Sequence, residues 1–340
     1  MKRSADPRQG RPLLSVVVPL LNEEEIIGLT HARISERLGN QKDIALEIVY
    51  VDDGSTDRSP AILSDIAAAD SRVCVLTFSR NFGHQPAITA GLRQASGDIV
   101  AVIDADLQDP VELIPEMVAK WREGYSVVYG IRRNRDEPLA KIWGYRLFYR
   151  LLSPISQIDV PKDSGDFCLL DREAVNAINR LPEKYRFVRG LRAWYGSKQT
   201  GIAYDRPARA AGSSRYSLGK LLNLAIDGIV SFSVLPLRFI FWLGLASSAF
   251  SLLGLVFFLL HRIIGFRIFG HTPADVPGFT SLILFLLFVS GVQLLSIGIV
   301  GEYLGRVYLE VKNRPEYVIS RIHPSLYGQA ASATPLSVSD

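Results

Sequence analysis

From Leu13 to Ile131, short unbroken apolar runs alternate with longer stretches in which apolar residues recur every three or four positions. The short runs are Leu13–Leu20, Ala45–Val51, Val73–Phe78, Ile99–Ile103 and Ser126–Ile131. Unbroken apolarity over such lengths predicts strands covered on both faces, as in a parallel sheet. The stretches between them predict helices. The first is opened by Asn22-Glu23-Glu24-Glu25, whose acids suit the positive end of a helix dipole, and runs to about Leu38. The second covers Arg58–Ala69, capped by Ser55 or Asp57, and the third Gln85–Gln94. Strand–helix alternation predicts an α/β, doubly wound, mostly parallel sheet. The polar loops at the carboxyl ends of its strands then converge on one crevice.

The pattern changes after Ile131. Lys141–Leu152 interleaves aromatic and basic residues, with Trp143, Leu147 and Arg150 at helical spacing, as in a helix lying in a membrane interface. Leu221–Val234 predicts a second apolar-faced helix. Leu237–Leu260 and Phe279–Val300 are nearly free of charge and long enough to span a bilayer, which needs about 20 residues. Gly291, Ser296, Gly298 and Gly301 give the second run the small residues that allow close helix contact. The expected organisation is a flexible start at 1–12, a sheet domain at 13–217, a juxtamembrane helix at 218–235, a two-helix transmembrane domain at 236–305 and a C-terminal segment with a disordered tail at 306–340.

Composition sharpens this division. Hydrophobic residues are 48% of the 340, an ordinary fraction that averages a polar part and an apolar part. Net charge is +4, with basic residues concentrated between Arg132 and Lys220. Cys74 and Cys168 both lie in apolar runs and read as reduced core residues. The polar start MKRSADPRQGRP is no secretory signal, so the sheet domain and both termini are expected on the cytoplasmic side of the inner (plasma) membrane.

The candidate chemistry sits where Ile99–Ile103 stops at Asp104-Ala105-Asp106-Leu107-Gln108-Asp109. In extended chain, Asp104 and Asp106 point the same way. Their carboxylates and the Gln108 amide are hard oxygen ligands suited to Mg²⁺ or Mn²⁺. Two further polar strand ends, Asn22-Glu23 and Asp52-Asp53, are expected beside them. Neither G-x-G-x-x-G after the first strand nor G-x-x-x-x-G-K-[ST] is present, which argues against a dinucleotide fold and a P-loop nucleotidase. A sheet without a glycine cradle that holds a diphosphate through a cation suits a nucleotide-sugar. On the other side, Arg132, Arg133, Arg146, Arg206, Arg209, Arg215 and Lys220, with the Gly212-Ser213-Ser214 turn, supply the forks and hydroxyl that bind phosphate oxygens.

VVVPLLNEE, VDDGSTD, SRNFGHQPAITAGL and DADLQDP, followed by GDFCLLDR, VRGLRAWYG, YDRPARAAGSSRYSLGKL and DGIVSFSVLPLR, together resemble the inverting family-two glycosyltransferases of GT-A fold, and among them the polyisoprenyl-phosphate glycosyltransferases. The resemblance covers Leu13 to about Tyr317. It implies that Pro19, Asn22 and Glu23 line a nucleoside pocket, that Asp52 binds the base with Asp53 beside it, and that Asp104, Asp106 and Gln108 hold metal and diphosphate. It places Asp166 near the reacting centre, as base or as positioning group. It assigns the loop bearing Ser214 and Arg215 to closure over the donor and entry of the lipid phosphate. The expected partners are a nucleotide-sugar, a polyisoprenyl phosphate, the bilayer and further copies of the chain, with no nucleic acid. UDP-glucose and undecaprenyl phosphate are the favoured pair; UDP-galactose, a UDP-amino sugar, or GDP-mannose with dolichyl phosphate stay open. A processive polysaccharide synthase fits less well, because RGLRAW stands where Q-x-x-R-W is expected and only two spans follow.

Overall fold

The structure is a computed structural model that describes residues 10–133, 164–183, 186–205 and 278–327, with scattered helical positions between 240 and 264. The chain divides into two compact units, one of residues 1–149, 158–216 and 315–340, the other of 150–157 and 217–314.

The first unit is built on a sheet of eight strands: β1 (Leu13–Leu20), β2 (Ala45–Asp52), β3 (Val73–Phe78), β4 (Ile99–Val102), β5 (Val127–Arg132), β6 (Ser164–Asp171), β7 (Gln199–Tyr204) and β8 (Ile319–His323). Its helices are α1 (Ile27–Leu38), α2 (Ser59–Ala69), α3 (His84–Gln94), α4 (Ile114–Arg122), α5 (Arg172–Arg180) and α6 (Val188–Tyr195). The spatial strand order is β7-β5-β6-β4-β1-β2-β3-β8. β1 pairs in parallel with β2 and β4, β2 with β3, and β5 with β7. β6 runs antiparallel to β4 and β5, and β8 antiparallel to β3.

Side-chain alternation along the strands divides the core into two layers. Leu14, Val16, Val18, Ile48 and Tyr50 pack with Ile27, Ile34 and Leu63 on the face covered by α1, α2 and α4. Val17, Val49, Val51 and Leu76 pack with Ala87, Ile88, Val175 and Leu191 under α3, α5 and α6. The strands read as unbroken apolar runs because both layers are dry. Cys74 and Cys168 are free and buried within them.

Several expectations shift. The Glu23–Glu25 acids do not form the first turn of α1, which starts at Ile27. They occupy a turn in which the Glu23 carbonyl accepts from Ile26 and Ile27 N–H, because Asn22 enters it at φ +54° and cannot begin a right-handed helix. β4 ends at Val102, short of Asp104, although Ile103 still donates to the Val17 carbonyl. Residues of the expected C-terminal segment, ahead of its tail, supply β8, and Tyr317 just before it stacks on Phe78 at 4.9 Å. In the second unit, α7 (Gly278–Val311) is one 34-residue helix. Over the described residues, no helix is long and apolar enough to cross a membrane. The expected span at 237–260 and the interface helices at 141–152 and 221–234 lie largely or wholly outside the described residues, as does the tail at 331–340.

At the end of the sheet remote from the strands' carboxyl termini, Glu47 is buried and accepts from Ser15 Oγ, Ser96 N–H (2.8 Å) and Ser325 Oγ (2.7 Å). One carboxylate thus joins β1, β2, the turn before β4 and the returning C-terminal segment. Glu47→Ala leaves those donors buried without an acceptor and is expected to lower unfolding stability by about 3 kcal/mol, read as a downward shift of the denaturation midpoint in detergent.

Candidate active site

The order β4-β1-β2 sets three polar strand ends side by side. Past Leu20, Asn22 accepts from Thr56 N–H (2.8 Å) and gives its own N–H to Ser55 Oγ (2.9 Å), while Glu23 N–H donates to Ser59 Oγ (2.9 Å). Pro19 is buried in β1 opposite Val51, beyond the last β1–β4 pair, so its missing N–H disturbs no ladder there. Asp52 is fully buried. Its Oδ1 accepts from Ser55 N–H (2.9 Å), and its Oδ2 has no hydrogen-bond partner among the described residues. Burial raises its pKa above the usual carboxylate value. Asp53 is turned to other work: it accepts from Phe82 N–H (2.7 Å) and Gly83 N–H (2.9 Å), tying the end of β2 to the loop before α3. Gly54, at φ +73°, lets these two loops touch, since a Cβ there would overlap the Arg80 backbone.

The Asp104–Asp109 turn is held by its own carboxylates. Asp106 Oδ1 accepts from Gln108 N–H, and Asp109 Oδ2 from Asp104 N–H, both at 3.1 Å. Leu107 between them sits at φ +58°, a left-handed conformation costing a non-glycine residue about 1 kcal/mol. Asp109 is almost fully buried, and its Oδ1 accepts from the Tyr204 hydroxyl at 2.9 Å. Burial, then the neighbouring Asp109 charge, push the Asp104 carboxyl up to about 7, with His84 pulling the other way.

Asp166 on β6 faces this turn through His84, whose Nε2 lies 3.4 Å from Asp166 Oδ2 and 3.7 Å from Asp104 Oδ1. Arg189 Nε is 3.0 Å from Asp166 Oδ1. Burial alone would raise the Asp166 pKa, but the His84 hydrogen bond and the Arg189 and Arg192 charges outweigh it and hold this carboxyl well below the usual range. In return, Asp166 and Asp104 raise the His84 pKa against its own burial. Gln85 belongs to the same cluster, giving its amide to Asp166 (3.4 Å) and accepting from Val188 N–H (2.9 Å). His84, Gln85 and Arg189 lie in SRNFGHQPAITAGL and VRGLRAWYG, so the motifs were visible, but it is the fold that gathers them around Asp166, which the β4–β6 pairing sets near the Asp104 turn.

Arg132, last residue of β5, donates from Nε to the Tyr204 hydroxyl (3.3 Å), and exposed Arg133 gives its backbone N–H to the Tyr204 carbonyl (2.9 Å). Arg146, Arg206, Arg209, Ser214, Arg215 and Lys220 lie outside the described residues.

Asp104, Asp106 and Gln108 suit a hard cation by donor type. Among the described residues no three His, Cys, Asp or Glu side chains gather into a ready-made cage. The crowding of Asp104, Asp106, Asp109 and Asp166 supplies the negative charge that such an ion would offset.

A family model described as "Glycosyl transferase family 2" matches residues 15–178. The uncharacterized glycosyltransferase YkcC of Bacillus subtilis (strain 168) is 46% identical over 308 residues, spanning 90% of this chain and 93% of its own length. The bactoprenol glucosyl transferase of Shigella phage SfII is 42% identical over 311 residues, spanning 91% of this chain and 98% of its own. Glucosyl-3-phosphoglycerate synthase from Mycobacterium tuberculosis, solved with Mn²⁺, UDP and phosphoglyceric acid, is more distant: 22% identical, covering 65% of this chain and 77% of its own, TM-score 0.48. By the family match and by near full-length identity to such relatives, the chain belongs to glycosyl transferase family 2, in its polyisoprenyl-phosphate glycosyltransferase group.

Proposed function

We propose that the protein transfers glucose from UDP-glucose to undecaprenyl phosphate, with inversion at the anomeric carbon and release of UDP. The observation that carries this reading is a buried Asp52 oxygen, without a partner among the described residues, at one strand end, and the acidic Asp104–Asp109 turn at another, one strand away. The first is an acceptor awaiting the N–H of a nucleobase; the second suits a cation-bound diphosphate. The name of the bactoprenol glucosyl transferase relatives supports the sugar and the lipid.

In this reading Pro19, Asn22 and Glu23 border the nucleoside, and Asp53 keeps the floor of its pocket in shape. Asp104, Asp106 and Gln108 would hold a Mg²⁺ or Mn²⁺ ion, which when bound would compensate the charge of the departing diphosphate. The lipid phosphate, with a second pKa of about 6, is already largely ionised near neutral pH and needs no strong base. Asp166, locked in its ionised form, is suited instead to opposing the positive charge that develops on the sugar ring. An acceptor oxygen bonds to the anomeric carbon as the bond to the donor's β-phosphate oxygen breaks, and that electron pair leaves with UDP. Arg132, Arg133, Arg146, Arg206, Arg209, Ser214, Arg215 and Lys220 are proposed to receive the acceptor and the diphosphate.

We further infer a two-span membrane anchor with the catalytic unit and both termini cytoplasmic, and an assembly of several copies. The anchor is supported by the apolar sequence of 237–260 and 279–300 and by exposed Leu282, Leu286, Leu294, Ile297 and Val300 along α7.

The direct test incubates membranes containing the protein with a panel of labelled nucleotide-sugars and undecaprenyl phosphate, then extracts lipid. Label from UDP-glucose in the lipid, dependent on a divalent ion, is expected; label from another donor reassigns the sugar, and none from any donor overturns the reading. Asp106→Ala is expected to reduce transfer roughly 1,000-fold with an unchanged melting temperature, measured on the purified protein. Arg209→Ala should raise KM for the lipid phosphate about tenfold and leave KM for UDP-glucose as it was, in steady-state assays. Because Asp104 must shed a proton to meet a cation, Mn²⁺ affinity should rise with pH up to about 7 and level off above it, by up to about tenfold per unit on the acid side. Titrating Mn²⁺ between pH 5.5 and 8 in the presence of UDP checks the sign.

A further inference from the structure

Something must hold the Asp104–Asp109 turn in its strained form. Leu107, at positive φ, lies between the two residues of the turn with donor oxygens on either side, Asp106 and Gln108. A bulky residue persists there only if its surroundings fix it. The fixing group is Asp109, whose Oδ2 takes the Asp104 N–H. Asp109 is in turn fixed by the Tyr204 hydroxyl on its Oδ1. That hydroxyl receives the Arg132 Nε, so its proton is directed to Asp109 and its lone pair to Arg132. Tyr204 is 5% exposed, and its ring meets Phe167 edge-on at 5.5 Å. Gly130 keeps the space clear, since a Cβ there would strike both rings. The Arg132 guanidinium lies against Gly165, the residue before Asp166.

The register gives this chain of contacts a further meaning. Arg132 and Tyr204 are direct partners in the β5–β7 ladder, and each is the last residue of its strand. The segment after β5 carries Arg133 and Arg146; the segment after β7 carries Arg206, Arg209, Ser214 and Arg215. Both segments leave the sheet at the residues that hold the acidic turn.

We propose that Tyr204 and Asp109 are positioning residues for transfer: the chain Arg132–Tyr204–Asp109–Asp104 holds the Asp104–Gln108 turn in the form that receives the donor's diphosphate, and anchors it to the point where the two basic segments depart. The proposal rests on the donor-site reading above. It assigns neither residue a contact with the reacting atoms. The alternative is that Tyr204 only packs the core, in which case its ring matters and its hydroxyl does not.

Tyr204→Phe separates the two, because it keeps the ring against Phe167 and removes only the hydroxyl. The measurement is Mn²⁺ binding to the detergent-solubilised full chain in the presence of UDP, followed by electron paramagnetic resonance of free Mn²⁺, alongside kcat, KM and the melting temperature without metal. Tyr204→Phe is expected to weaken Mn²⁺ binding at least fivefold and lower kcat about tenfold, with the metal-free melting temperature within a few degrees of the parent. Asp109→Asn, which keeps the side-chain shape, should weaken binding at least as much. The double variant should be no weaker than Asp109→Asn, since both changes break one chain. Unchanged Mn²⁺ binding in Tyr204→Phe, or effects that multiply in the double variant, would overturn the proposal and leave the donor-site reading standing. Failure of the unaltered protein to bind Mn²⁺ with UDP would overturn both. Should Tyr204→Phe not fold, parental Mn²⁺ binding by Asp109→Asn overturns the proposal by itself.

Discussion

The structure depends on keeping several carboxylates close together at one end of a sheet without letting them repel one another apart. Asp52, Asp53, Asp104, Asp106 and Asp109 lie at or just past strand ends and Asp166 near the start of β6, and most are buried or half-buried. Like charges in a low-dielectric setting raise one another's pKa and destabilise the fold unless each finds a partner. Each solution here is different. Asp53 takes hydrogen bonds from backbone N–H groups of the loop before α3. Asp109 takes a tyrosine hydroxyl and a backbone N–H. Asp166 takes a guanidinium and an imidazole, and stays ionised. Asp104 has His84 to lower its pKa, but burial and three neighbouring aspartates outweigh the imidazole, and the pKa rises. The residue under the greatest electrostatic pressure is the one aligned with the expected cation, which is how a site becomes ready for a ligand.

Different partners thus serve different aspartates within one motif. DADLQDP contains both kinds of aspartate. Asp104 and Asp106 carry the oxygens suited to a cation, while Asp109 fixes the loop that bears them. VDDGSTD divides in the same way: among the described residues Asp52 keeps one oxygen without a partner, and Asp53 engages both. The opposite end of the sheet shows a purely structural counterpart, where Glu47 gathers three donors and presents nothing to solvent. The C-terminal segment takes part there through Ser325. It also takes part along the sheet edge, where Tyr317 lies on Phe78 and Arg93 reaches Glu316 at 2.8 Å. The chain that leaves the sheet domain for the apolar third therefore comes back to complete it.

Much of this was legible from residue order alone, for identifiable reasons. Strands buried on both faces need unbroken apolar runs, so β1 to β5 stand out in the sequence, and the turn residues between them mark α1 to α3 within a residue or two except at the start of α1. Asp104 and Asp106 are legible because the pair follows a buried apolar run and stands in order with two other polar strand ends, where a lone pair of acids would read as a solvated turn. The ordered motifs carried the family. The antiparallel strands were not legible: β6 begins SGD, which reads as a turn, and β8 is a five-residue edge strand with Ser320, Arg321 and Ile322 outward, too polar to announce itself. His84, Gln85, Arg189 and Tyr204 escaped assignment because nothing local distinguishes them; each acquires meaning from a residue far away in the chain.

The sequence by itself thus determined the alternating α/β frame, the acidic strand ends and the kinship, because each is written in local periodicity or in contiguous motifs. Only the tertiary structure decided which aspartates are tied into the scaffold and by which partners, because that depends on residues brought together by the β4–β6 and β5–β7 pairings. Charge compensation in a buried site is a property of three-dimensional neighbours, and strand order, not residue order, chooses them.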